Sequence, residues 1–265
     1  MTPWEVFAVK YADRNERTRK DSFLFDDNHH LPHEMDYFIW VLRRGNDIVL
    51  VDTGYDQEEG ERRGRPVRLN PVEALAPRGI DPPSVSTIIV THLHYDHAGG
   101  LKHFPNATIH LQAAEMAYAT GPCMCHGTLQ APFTADHVCE AVQRLYSGRV
   151  VFHEGDGAVR EGVTVHHTGG HSKGLQAVRV LTEAGWMCLA SDTSHYYENF
   201  LEAKPFPIVV DLDDMLEGFR TIRSLASSDK LVIPGHDPLV RDYFPAHGPD
   251  HIIRLDRGPV KWEAS

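Results

Sequence analysis

The sequence predicts an α/β protein: two mixed β-sheets with helices packed outside them. Three observations carry this. Short apolar, β-branched runs recur in groups along the chain, as in Ile39–Leu42, Ile48–Val51, Ile88–Val90 and Val163–Val165. Segments with helical apolar spacing separate or follow those groups. Loops rich in His, Asp and Gly follow several of the runs. Grouped strands alternating with helices bury their faces as sheets under helices, and polar loops at strand ends are where such sheets gather ligands.

In chain order, Val6–Tyr11 reads as a strand. Asp13–Asp21 is strongly charged and expected to be exposed, and Asp26–His33 is a polar loop carrying His29, His30 and His33. Tyr37–Leu42 and Asp47–Val51 form a hairpin across Arg43-Arg44-Gly45-Asn46. Asp52-Thr53-Gly54 closes its second strand. Gln57–Arg68, mostly charged, reads as an exposed loop, and Pro71–Leu75 as a short helix with Pro near its start. Ser86–Val90 is a buried strand, Thr108–Leu111 another, and Ala113–Ala119 a helix. Gly121–Ser147 is irregular, with helical character at 135–145. Strands at 149–153, 162–167, 176–181 and 186–190 follow. Met215, Leu216, Phe219, Ile222 and Leu225 space out a helix over 213–225. Leu231–Ile233 is a last buried strand, and the tail from Arg241 is polar. There is no visible repeat or linker, so one domain over 1–265 is expected, with pocket-lining insertions near 13–35 and 113–147.

The composition suits a soluble globular chain: 42% hydrophobic and 24% charged over 265 residues. A formal net charge of −11 argues against nucleic acid or an anionic membrane as partner. A small molecule is the expected partner, and a homodimer the assembly to test. Four cysteines lack zinc-finger or CxxC spacing. With no apolar leader or membrane-length run, a reduced cytoplasmic protein is the expectation. Cys188, inside a strand, reads as an inert core residue.

Eighteen histidines are unusual, because imidazole is the commonest metal ligand. They concentrate in Thr91-His92-Leu93-His94-Tyr95-Asp96-His97, directly after an apolar strand. On an extended segment His92 and His94 point the same way, and Asp96 continues that parity. Chain geometry cannot put all four polar side chains on one ion; two neighbouring ions would use them all. His171, Asp192 and His236 each follow a predicted strand and are further ligand candidates. Five histidines and two carboxylates suit a dinuclear hydrolytic centre of two divalent metal ions. Zinc favours such N/O donors, and iron, manganese and cobalt also accept them.

HxHxDH, with VDTG before it and GGHSxG, SDT and PGH after it, resembles the metallo-β-lactamase-fold hydrolases over roughly Tyr37–Asp237. The run from Asp192 to Glu198-Asn199-Phe200 is most like that of the N-acyl homoserine lactonases. The resemblance implies an αββα sandwich. It implies that His92, His94 and His171 hold one metal, that Asp96, His97 and His236 hold the other, and that Asp192 bridges them. It also implies that Asp52 orients a ligand histidine from behind. The implied reaction is the opening of a lactone ring by a metal-bridging hydroxide, with N-acyl homoserine lactone (quorum quenching) as leading substrate. Asp96 and Asp192 are candidates for moving the proton to the leaving alkoxide.

The family places a substrate-contacting tyrosine three residues after the bridging aspartate. This chain has His195 there, followed by Tyr196 and Tyr197, so His195 or Tyr196 is expected to take that role. Another lactone, or a thioester of the hydroxyacylglutathione type, is the alternative substrate on the same scaffold. A di-iron redox protein would use similar ligands but would need an electron partner.

Overall fold

The computed structural model describes residues 1–263. Its strands are β1 (Glu5–Arg14), β2 (Met35–Arg44), β3 (Asp47–Val51), β4 (Thr87–Ile89), β5 (Thr108–Gln112), β6 (Val150–His153), β7 (Gly157–Arg160), β8 (Val163–His167), β9 (Gln176–Thr182), β10 (Gly185–Ser191), β11 (Val232–Pro234) and β12 (Ile252–Arg254). They form two mixed sheets, ordered β12-β1-β2-β3-β4-β5-β6 and β11-β10-β9-β8-β7.

The first sheet is antiparallel from β12 to β3 and parallel from β3 to β6. The first eight residues of β2 are all buried. A strand covered on both faces loses the alternation of a half-exposed strand, which is why this stretch reads as a continuous apolar run. In the second sheet β8, β10 and β11 run the same way, with β9 antiparallel between β8 and β10.

Parallel neighbours place their C-terminal ends on one edge. The polar loops after β3 and β4 leave one edge of the first sheet, and those after β8, β10 and β11 leave one edge of the second. The two edges are stitched together by Gln176 at the start of β9. Its backbone N–H donates to Thr91 O (3.1 Å) and its side-chain amide to Val90 O (2.8 Å) and His110 O (3.1 Å).

Four elements depart from the sequence reading. Gln57–Arg63 is a helix, capped by the Asp56 carboxylate on Glu59 N–H and closed by Gly64 at φ 62°. Its charges hid it, because the helix is held by Glu59, which is buried and paired with Arg62 and Arg63. Gly157–Arg160 adds an edge strand too short to show a period. The polar tail supplies β12, whose Ile252 and Ile253 are buried against β1. Finally, β1 runs on to Arg14, and Arg17, in the stretch expected to be exposed, is only 5% exposed.

Candidate metal centre

The ligand candidates meet at the joined sheet edges. The ring or carboxylate atoms of His92, His94 and His171 lie within 4.8 Å of one another, as do those of Asp96, His97 and His236. Asp192 stands between the two groups. Its Oδ1 lies 3.2 Å from His97 Nε2 and 3.0 Å from His236 Nε2. Its Oδ2 lies 3.1 Å from His171 Nε2 and 3.8 Å from His92 Nε2.

Local structure explains the convergence. His94 is the extended residue before a short helix, Tyr95–Ala98, which turns Asp96 and His97 back toward His92. Tyr95 N–H donates to Pro132 O (2.9 Å), so the 121–147 segment clamps this turn. Gly170 and Gly235 leave no room for a side chain: a Cβ would fall 2.6 Å from Met215 backbone atoms and 2.9 Å from Asp192 Oδ1, respectively. Of three non-glycine residues with positive φ among those described, two lie at the ends of β3 and β10: Asp52 at 61° and Ser191 at 47°. Each such conformation costs roughly 1–3 kcal/mol and persists only where surrounding contacts enforce it.

Those contacts are visible. Asp52 accepts from Thr91 N–H (2.8 Å), Thr91 Oγ1 (2.8 Å) and His97 Nδ1 (2.8 Å). His236 Nδ1 faces the Asp36 carbonyl at 2.9 Å and His171 Nδ1 the Ile208 carbonyl at 2.8 Å. A carbonyl can only accept, so each ring keeps its proton on Nδ1 and turns a lone pair on Nε2 inward. This is how protein-bound metals have their histidines oriented.

The donor set fits divalent ions. His92 Nε2, His97 Nε2 and Asp192 Oδ1 are buried without a hydrogen-bond partner, although other polar atoms stand nearby. Buried polar atoms are nearly always paired, and lone pairs that face one another satisfy none of the atoms unless a cation sits among them. Burial, reinforced by the neighbouring imidazoles, pushes His92 and His94 well below their ordinary pKa, leaving them neutral as ligands must be. Burial disfavours the Asp192 anion, but His195, His97, His236 and His171 outweigh it and hold the carboxyl well below its usual range.

A cavity of about 460 Å³ opens onto this cluster. Its walls include His94, Asp96, His171, Asp192, His195 and His236, with Arg14, Arg17, Lys20 and Asp21 from one predicted insertion and Ala131 and Pro132 from the other. His195 lies flat on Phe206, ring centroids 3.4 Å apart, with Nε2 2.9 Å from Asp192 Oδ2. Tyr196 does not line the cavity. Its hydroxyl accepts from Arg17 (2.5 Å) and donates to the Glu34 carbonyl (3.1 Å). The residue is an extended helix N-cap, and successive side chains on extended backbone point opposite ways. Of the two candidates after Asp192, the fold therefore turns His195 inward and Tyr196 away.

Sequence reasoning missed Glu115. On the helix Ala113–Ala119, fully buried, it accepts from Leu93 N–H (2.9 Å), Ser172 Oγ (2.5 Å) and Gly174 N–H (2.9 Å). It thus ties the His92–His97 loop to the His171 loop. The only signal in the sequence is a charged residue in an otherwise apolar helix, which usually marks nothing.

A buried His/Asp cluster at the joined edges of a ββ sandwich defines a metal-dependent hydrolase, and the chain belongs to the Metallo-beta-lactamase superfamily, whose model matches residues 35–242. It is 31% identical over 214 residues to an N-acyl homoserine lactonase of Bacillus cereus, a match covering 75% of this chain and 80% of the relative. Among solved structures, an N-acyl homoserine lactone hydrolase with N-hexanoyl-L-homoserine at its catalytic metal centre shares the fold. The TM-score is 0.74 at 23% identity, over 90% of this chain and 95% of that one. So does AidC, a dizinc quorum-quenching lactonase, at a TM-score of 0.71 and 16% identity, over 100% of this chain and 97% of that one.

Proposed function

We propose that the protein is a dinuclear lactonase that opens N-acyl homoserine lactones or a close cyclic ester. The observation that carries this is the position of Asp192 between two three-residue ligand groups on one cavity. The curated relatives named as N-acyl homoserine lactonases support the substrate class. Two divalent ions, for which the N/O donors favour zinc, would be held by His92, His94 and His171 and by Asp96, His97 and His236, with Asp192 shared. When bound, such ions supply Lewis acidity and a hydroxide at neutral pH.

The chain's own groups do the rest. His195 Nε2 hydrogen-bonds Asp192 Oδ2 and fixes that carboxylate's orientation. Asp52 keeps His97 in the tautomer with its lone pair inward. As the ring opens, water oxygen bonds to the carbonyl carbon, the ring C–O bond breaks, and a proton must reach the departing alkoxide. Asp96, a carboxylate on the cavity wall, is the group assigned to carry it. Phe206 and Ile208 offer an apolar wall to an acyl chain. The four cysteines are free, in keeping with a reducing, cytoplasmic setting.

The test is acid release in a pH-stat from hexanoyl homoserine lactone and simpler lactones, with metal content measured on the same sample. The expected result is one acid equivalent per lactone, with metal and turnover lost together in His94→Ala. No acid from any lactone with the metal-loaded protein overturns the proposal.

A further inference from the structure

The cavity is cationic in a protein of net charge −11. Arg14, Arg17, Lys20, Arg63 and Arg65 all line it. Arg63 is ion-paired with Glu59, which it shares with Arg62. The other four have no carboxylate within 4.0 Å among the described residues; their ion-pairing capacity is unused. Arg17 is the costly one. It is 5% exposed, its two Nη groups reach only neutral oxygens, Tyr196 Oη (2.5 Å) and Asp21 O (2.6 Å), and its Nε is buried without a partner. Arg65 donates to the Tyr95 hydroxyl and lies half-buried over that ring, 5.0 Å from its centroid. Buried charges are normally paired, so an unpaired guanidinium on a binding cavity calls for an anion from outside.

The acidic residues of the cavity do not supply it. The Asp21 carboxylate is turned to Thr18 N–H (3.0 Å), and Asp96 and Asp192 belong to the ligand set. Elsewhere on the same segment, Arg19 is fully paired, with Asp26 and Glu198. On this segment, then, the cations without a carboxylate partner are the ones that line the cavity.

We infer that the substrate carries a carboxylate besides the bond that is cleaved, held by Arg17 and Arg65 with Arg14 and Lys20 at the rim. This rests on the lactonase reading and narrows it, because N-acyl homoserine lactones are uncharged: an acidic lactone should be the better substrate.

Two lactones test it, γ-butyrolactone-γ-carboxylate and its carboxamide, which differ only in the charge. Hydrogen bonds to a charged group are stronger than those to a neutral one, so kcat/KM should favour the carboxylate by roughly 10- to 100-fold. The preference should fall toward one in Arg65→Gln and in Arg17→Gln. Because Arg17 is buried and its variant can misfold, Lys20→Gln, at an exposed position, serves as a third variant and should lose part of the preference. Binding is read separately by calorimetry with glutarate and glutaramate, with glutarate expected about tenfold tighter and the advantage reduced by Lys20→Gln. Equal turnover of the two lactones with equal binding of the two probes overturns the carboxylate site and leaves the lactonase reading standing. No turnover of either lactone or of hexanoyl homoserine lactone, with glutarate still favoured in a Lys20-dependent way, overturns the lactonase reading and upholds the anion site.

Discussion

Asp52→Asn tests the claim that histidine tautomers are set from behind the metal centre. Asp52 accepts three hydrogen bonds, all at 2.8 Å and all buried. Asparagine keeps the size, and it tolerates the φ of 61° found here. With its amide oxygen toward Thr91 N–H, its NH₂ faces Thr91 Oγ1 and His97 Nδ1. Thr91 Oγ1 can turn and accept. His97 Nδ1 can accept only by giving up its proton, and the proton then moves to Nε2, the atom that must face the ion. Losing such an outer partner costs about 10- to 100-fold in metal affinity, or about 1.4–2.7 kcal/mol at 1.36 kcal/mol per decade. The assay is competition with a chromophoric chelator, together with long-range ¹⁵N–¹H correlation spectra of the ring nitrogens of the metal-free protein. Unchanged affinity for both ions would refute the reasoning.

Three further outcomes are expected. Glu115→Ala leaves Leu93 N–H, Gly174 N–H and the Ser172 hydroxyl buried without an acceptor. At about 1 kcal/mol or more each, the loss of about 3 kcal/mol lowers Tm by roughly 6–12 °C; a calorimetric Tm within 2 °C of the parent (about 0.5–1 kcal/mol on the same scale) would show that the two ligand loops do not depend on it. Burial, with the Arg19 and Arg17 charges, pushes His33 down to about 4. The unfolded chain therefore takes up this proton first on acidification, and stability from this group falls as pH drops from about 6.5 to 4. His33→Gln should narrow the Tm gap between pH 7 and pH 4, and parallel Tm–pH curves for the two proteins contradict the assignment. Chelation should lower Tm, since free metal at about 1,000 times Kd stabilises a site by about 4 kcal/mol; scanning fluorimetry that gives one Tm with and without chelator argues against structural metal.

The legibility of the chain follows from what is local. The HxHxDH run, the strand before it and the glycine-bearing loops announce themselves within a few residues, because ligand spacing and β-branched runs are properties of short segments. The seven ligand candidates and Asp52 all lie at strand ends, and the fold brings them together. Arg17 and Glu115 were illegible for the converse reason. A charge in a charged stretch, or one carboxylate on an apolar helix, carries no local mark of burial. Only the packing of β1 beside the cavity and of Ala113–Ala119 under the two ligand loops gives them partners or withholds them.

The same division separates His195 from Tyr196. By itself the sequence determined that a donor stands three residues after Asp192, that two sheets meet under helices, and that seven histidine and aspartate side chains could share ions. Tertiary structure alone decided that the extended backbone at Tyr196 sends its ring toward Arg17 and leaves His195 on the cavity wall. It also decided that four cations face that cavity without counter-charges. Spacing constrains neighbours along the chain, whereas unpaired charge and side-chain direction depend on which distant segments arrive, and those are set only once the sheets have closed on each other.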